Sequence, residues 1–180
     1  MITGSRTRLR GIERDDIARF TVWMNDPEVI ENLQVRSPLS FASEEKWFER
    51  NLTKPLEEQV LAVEARTPAG WVHIGNCGFH SINWLNRSTE LGIAIGEKAY
   101  WSQGHGTDAV RLLLRYGFNE LNLNRICLHV YSFNTRAIRC YEKAGFVLEG
   151  RLRQDVFHHG EYVDALVMSV LRSEWRDTEI

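Results

Sequence analysis

Tyr100-Trp101-Ser102-Gln103-Gly104-His105-Gly106-Thr107 is the stretch on which the reading of this chain turns. Before it, Thr89 to Ile95 has strand character. After it, Gly106 to Leu121 returns to helical period, with Ala109, Val110, Leu113, Leu114, Gly117, Phe118 and Leu121 on one side. Two glycines one residue apart let the backbone turn tightly and bring several N–H groups onto one anion. The helix that begins there aims the positive end of its dipole at the same point. A pyrophosphate suits such a nest, although a G-x-G alone is also found in plain glycine turns. Two nucleotide motifs do not fit. A Walker loop needs Lys-Ser/Thr after its second glycine, where this chain has Thr107-Asp108. The dinucleotide fingerprint needs a third glycine, where Ala109 stands, within an early βαβ unit, and here the loop follows four strands. A different pyrophosphate-bearing cofactor remains.

Working outward, Arg8 to Ile12 reads as a first strand, and Asp15 as the cap of a helix carrying Ile17, Phe20 and Met24 at helical spacing. Asp26-Pro27 starts a short helix through Val29, Ile30 and Leu33, and Ser43 with Glu44 and Glu45 starts another with Trp47, Phe48 and Leu52 inward. Val60 to Ala65, Trp71 to Phe79 and Thr89 to Ile95 are strands divided by turn residues. Beyond the loop helix, Ile126, Leu128 and Val130 alternate with Arg125, Cys127 and His129 as a strand. Thr135 to Lys143 is a helix closed by Gly145. Phe146 to Gly150, Arg153 to Phe157 and Tyr162 to Leu171 are final strands, the last two joined at His159-Gly160. Together these elements make one mixed α/β domain over residues 1–180.

The chain has 180 residues, 43% of them apolar, enough for one sizeable core. Its net charge of −2 gives no broad basic surface for nucleic acid. No apolar run approaches the roughly 20 residues of a membrane span, and the first residues lack the apolar stretch of a secretory signal. Cys77, Cys127 and Cys140 form no disulfide framework. A cytoplasmic, reducing location is the expectation.

Two segments together resemble a known family. The run Glu90 to Thr107, ELGIAIGEKAYWSQGHGT, is similar to the acetyl-CoA motif of the GNAT N-acetyltransferase superfamily. Asn134 to Phe146, NTRAIRCYEKAGF, looks like its second block. The tail Glu149-Gly-Arg-Leu-Arg, then Gly160-Glu-Tyr-Val-Asp164 and Met168, resembles the branch of ribosomal-protein N-terminal acetyltransferases and spermidine acetyltransferases. The resemblance implies an α+β fold: a twisted, mixed, mostly antiparallel sheet flanked by helices and splayed between its two central strands. It implies acetyl-CoA as co-substrate, no metal, and direct attack by a primary amine in a ternary complex. The acceptor is a protein N-terminus, a polyamine or another small amine. An acetyl-CoA-binding regulator without turnover is the alternative, and a homodimer through the edge of the C-terminal strands is compatible with this reading.

Residue by residue, the resemblance implies coenzyme contacts from Ile93, Ala94 and Ile95, whose backbone would pair with the pantetheine arm as an added strand does. Further contacts come from Trp101, Ser102, Gln103, Gly104, His105, Gly106 and Thr107, and from Asn134 and Tyr141. The family's usual loop has Arg or Gln three residues before its first glycine. Trp101 stands there, leaving Gln103 and the backbone amides to meet phosphate. Asn134 either bonds the arm or caps the helix at Thr135, and Ala137 replaces a serine found in some relatives.

Acetyl transfer needs an amine freed of its proton, a stabilised carbonyl oxygen and a proton for the leaving thiolate. The resemblance implies Tyr141 as the acid, since several relatives place a tyrosine of this helix next to the sulfur, and a phenol protonated at neutral pH can serve a thiolate of lower pKa. The resemblance implies Glu90 as the base, at the position fourteen residues before Gly104 where some members carry a glutamate; Trp84 and Trp101 are expected to cover it partly, with an ion pair to Arg87 as its purely structural alternative. His158-His159 has no third metal ligand at a useful spacing. Cys77 and His80 point to opposite faces of a strand, and Cys140 is turned about 100° from Tyr141 on its helix. Asp26, Glu28, Glu31, Glu44, Glu45 and Glu49 read as a solvated acidic face that draws a cationic amine.

Overall fold

A computed structural model describes residues 1–177. The chain opens with strands β1 (Ile2–Thr3) and β2 (Thr7–Gly11), then helices α1 (Ile17–Trp23), α2 (Pro27–Ile30) and α3 (Phe41–Leu52). Strands β3 (Leu61–Thr67), β4 (Gly70–Asn83) and β5 (Ser88–Ile95) form a meander. Helix α4 (His105–Arg115), strand β6 (Arg125–Tyr131), helix α5 (Thr135–Ala144) and strands β7 (Val147–His158) and β8 (Glu161–Leu171) follow. All eight strands join one sheet in the order β1-β2-β3-β4-β5-β6-β8-β7. Every pairing is antiparallel except β5 with β6. This is the mixed, mostly antiparallel sheet that the resemblance implied.

The parallel pair positions the site. β5 and β6 pair only from Ser88 to Glu90 against Arg125 to Cys127. β5 stays paired with β4 as far as Ile95, and β6 with β8 as far as Tyr131. Past Glu90 the two strands therefore separate, and each remains held by its outer neighbour. Because they run in the same direction, the segments after both, the glycine loop and the start of α5, lie at the same open end.

The apolar stripe of α4 explains how the gap keeps its shape. Ala109, Val110, Leu112, Leu113 and Leu114 are fully buried, in one cluster with Leu9, Phe79, Leu91, Ile126, Leu128 and Met168. Full burial of one such leucine contributes about 1.5–3 kcal/mol. Polar contacts then fix the helix N-terminus. Buried Asp108 accepts from the Thr7 N–H at 2.8 Å, the Thr7 hydroxyl at 2.7 Å and the Arg6 N–H at 3.1 Å, tying α4 to β2. A second cluster of Trp23, Met24 and Val29, with Phe20, Leu33, Val35, Leu39 and Trp101 packed on it, seats α1 and α2 beside the end of β5. Gly96 is needed there, since a Cβ would stand 2.1 Å from the Trp23 ring.

Several boundaries differ from the sequence reading. The first helix is entered through a 3-10 turn, Arg14–Asp16, with the Asp16 carboxylate accepting from the Glu13 N–H; Asp15 does not cap it. The cap of α3 is Ser40, whose hydroxyl accepts from the Ser43 N–H, so Ser43 lies inside the helix. The long helix after the loop ends at Arg115 and continues as a wider π turn over Tyr116–Glu120. Phe146–Gly150 and Arg153–Phe157 are one strand, β7, bent where its register shifts at Leu148/Gly150 and Leu152/Val156. Glu44 is buried with one carboxylate oxygen unpaired, and burial raises its pKa, so it does not belong to a solvated face. The caps at Asp26 and Asn134, and Gly145 as the left-handed end of α5, are as expected.

Asp108→Ala strands three donors, two of Thr7 at the start of β2 and the Arg6 N–H just before it. It should cost about 3 kcal/mol of stability, read as a lower midpoint in urea unfolding with an unchanged slope; a shift under about 0.5 kcal/mol would contradict the tether.

Candidate functional site

The site begins at the glycine loop. Ser102 and Gly104 both have left-handed backbone, φ 59° and 89°. Gly104 is the residue before α4 and has no capping side chain, so the first N–H groups of the helix stay available. The Gln103 amide is turned back onto the Ala99 carbonyl. His105 is buried with its edge to Tyr100, ring centroids 5.3 Å apart, and its Nδ1 has no partner among the described residues. Burial lowers its pKa, with the Arg6 charge adding to the effect. Thr107 directs its hydroxyl to Cys140 Sγ at 3.4 Å, joining α4 to α5.

Trp101 has a different place from a phosphate ligand. Its indole N–H donates to the Ile95 carbonyl at 2.7 Å, and its ring belongs to the cluster under α1 and α2. The Arg136 guanidinium lies 3.7 Å from the ring centroid. Two cations that sequence reasoning missed thus border the loop. Arg136 comes from the first turn of α5. Arg6 leads into β2, with its side chain reaching the Gln103 carbonyl at 3.5 Å. Neither forms an ion pair among the described residues. Long range conceals both, because Arg6 lies about a hundred residues before the loop it borders.

Ile93, Ala94 and Ile95 lie on the open part of β5, paired on one side to Cys77, Asn76 and Gly75 of β4. Their other side faces the gap, where no strand covers their backbone groups. Across the gap, Asn134 caps α5 through Oδ1, which accepts from the Ala137 N–H at 3.1 Å. Its amide NH₂ has no partner among the described residues, so the cap and a donor role coexist in one side chain.

Tyr141 is buried in the main core beside Phe146, ring centroids 5.8 Å apart. Burial pushes its phenol above the ordinary value, and nearby Cys140 adds to the rise. Such a group stays protonated through neutral and mildly alkaline pH. Cys140 is itself raised by burial, which opposes the thiolate that a ping-pong nucleophile requires.

Glu90 stands at the last paired position of β5, where the strands part. Its partner is His129, Nδ1 to Oε1 at 3.0 Å, rather than Arg87. The carboxylate is 43% exposed and Trp84 is largely in solvent, so the expected aromatic cover is missing. The acids of the early helices are mostly engaged. Asp26 and Glu28 pair with Lys98 at 2.8 and 2.9 Å, Glu45 and Glu49 pair with Arg14, and Glu31 meets His158 and His159. Cys77 is buried and His80 exposed, on opposite faces of β4 as expected.

An open strand edge, two helix N-termini, a left-handed glycine loop and two unpaired cations fit a long ligand with a phosphate-bearing end. Comparisons with known proteins agree. Residues 6–147 match the model of the acetyltransferase (GNAT) domain family. A spermidine N(1)-acetyltransferase of Vibrio cholerae is 31% identical over 172 residues, covering 95% of this chain and 96% of that protein. A prophage-derived, uncharacterized N-acetyltransferase of Bacillus subtilis is 31% identical over 175 residues, covering 96% and 94%. The crystal structure of the Vibrio cholerae spermidine N-acetyltransferase in complex with CoA and spermine superposes with a TM-score of 0.83. It is 30% identical and covers 93% of this chain and 96% of that one. These relationships do not favour a regulator without turnover. The chain belongs to the GNAT acetyltransferase family and is an N-acetyltransferase that takes its acetyl group from acetyl-CoA.

Proposed function

We propose that the chain, as one domain over residues 1–180, acetylates a small primary amine, with polyamines first among the candidates, inside the gap between β5 and β6. The observation that carries this reading is the divergence of the two strands past Glu90, with a carboxylate at its base and two helix N-termini at its mouth. The likeness to a spermidine acetyltransferase over nearly the whole length supports the acceptor class. The cysteines are free, in keeping with a cytoplasmic location. Exposed Val147 and Leu148 on the edge strand β7 are compatible with a homodimer through that edge.

Acetyl-CoA supplies the activated thioester. In this proposal the backbone of Ile93 to Ile95 receives the pantetheine amides, and an N–H of that stretch faces the carbonyl oxygen. The free N–H groups from Gly104 to Thr107, with Arg6 and Arg136, meet the pyrophosphate. Trp101 contributes by stacking Arg136 in place and closing the end of β5, since its own N–H is engaged. Asn134 adds a donor from the start of α5. Glu90 accepts the proton of the incoming amine, directly or through water, while His129 orients its carboxylate. The amine nitrogen forms the new bond to the acetyl carbon as the carbon–sulfur bond breaks. Tyr141 gives its proton to the departing sulfur.

The acceptor is tested by free-thiol release from acetyl-CoA with spermidine, amino sugars, free amino acids and short peptides offered in turn. Spermidine should give the highest kcat/KM. Turnover confined to peptides would move the acceptor to a protein N-terminus and overturn the small-amine reading. Tyr141→Phe should lower kcat by about 100-fold with KM for acetyl-CoA little changed. Because burial raises the phenol, the wild-type rate should show no loss between pH 7 and about pH 10 that Tyr141→Phe removes. An unchanged kcat in the variant would remove Tyr141 from the chemistry.

A further inference from the structure

The β7–β8 hairpin ends in two consecutive histidines, and their arrangement is unusual. Neighbours on a regular strand point to opposite faces. His159 instead adopts left-handed backbone, φ 46°, followed by Gly160 at 88°. This brings its ring to 4.3 Å from that of His158, centroid to centroid, at 68°. Left-handed backbone is uncommon for a non-glycine residue. Glu31, just past α2, then reaches both rings: Oε1 lies 3.1 Å from His158 Nε2 and Oε2 2.9 Å from His159 Nε2. Ligand atoms of all three residues lie within 4.8 Å of one another. The sequence reading dismissed this pair for want of a third ligand, and the fold brings one from 127 residues away.

The cluster is also held in place. The His158 side chain is only 10% exposed and stacks on Phe133 with ring centroids 4.8 Å apart. Its buried Nδ1 has no partner among the described residues, so a proton displaced from Nε2 can move there. Glu31 is anchored by α2, whose Val29 packs into the cap cluster.

We propose that Glu31, His158 and His159 bind one divalent transition-metal ion of the zinc class, joining the end of α2 to the hairpin tip. Two imidazoles and a carboxylate suit zinc, whereas magnesium and calcium prefer oxygen ligands throughout. In the metal-free arrangement the imidazole N–H groups donate to Glu31. The ion replaces those protons at Nε2, and they pass to Nδ1 or to solvent. Three protein ligands leave a fourth position for water. The ion would sit next to Phe133, just past the end of β6, and fix the cap of early helices against the C-terminal strands. No step of the proposed transfer is routed through the ion, so this inference stands apart from the acetylation reading.

The test is calorimetric titration of the tag-free full chain with zinc chloride, together with the visible spectrum after addition of cobalt(II). One ion per chain, four-coordinate cobalt bands and no heat with magnesium are expected. Glu31→Gln and His159→Asn, the latter chosen because asparagine tolerates positive φ, should each weaken zinc binding at least about tenfold. At the same zinc concentration the Tm of the wild type should rise more than that of either variant. Absence of stoichiometric binding to the wild type, or equal binding by both variants, overturns the site.

Discussion

The structure depends on one constraint: a parallel strand pair that is allowed to part. β5 and β6 share three residue pairs and then separate, because each is held more firmly by its other neighbour. A sheet interior normally satisfies its backbone groups across the ladder. Here part of one central strand is left without a neighbour on one side. The arrangement persists because α4 fills the space beneath with fully buried Val110, Leu112, Leu113 and Leu114. An extended ligand with amides along its length completes the ladder in a way that a globular ligand does not.

Parallel direction turns this gap into a site with two ends. The base carries Glu90, at the last paired position, and His129, two residues past the pairing on the other strand. The mouth carries the first turns of α4 and α5, and hence the positive ends of two helix dipoles. Arg6 and Arg136 increase the positive charge there, while the acids of α2 and α3 are mostly answered by Lys98 and Arg14. Charge is thereby segregated along the gap: cations and helix N-termini at the mouth and an exposed carboxylate at the base. Such a division suits a reaction joining a phosphate-bearing donor to a cationic acceptor.

The parts legible in the sequence are those whose physics is local. The glycine loop could be read because a left-handed turn at Gly104 and the apolar stripe from Ala109 onward leave marks within one segment. Asn134 and Gly145 mark the ends of α5 for the same reason. The parts that escaped depend on register or on long-range contact. Strand alternation placed His129 outward, but only the β5–β6 register puts it against Glu90 in preference to Arg87. Trp101 was legible as a departure from the family loop, yet its bond to the Ile95 carbonyl requires the chain to fold back over β5. Ser40 and Ser43 both offer a capping hydroxyl, and local sequence does not rank them when each can face the other's backbone. The bend in β7 is a pairing irregularity with β8, so it divided one strand into two in the sequence.

Amide hydrogen exchange at Leu91 to Ile95, with and without acetyl-CoA, measures the central claim most directly. If the open edge of β5 receives the pantetheine arm, the amides facing the gap should slow on addition of the coenzyme, together with those from Gly104 to Thr107. Coenzyme binding that leaves Leu91 to Ile95 exchanging at the unliganded rate would mean that the gap between β5 and β6 is not where the donor lies.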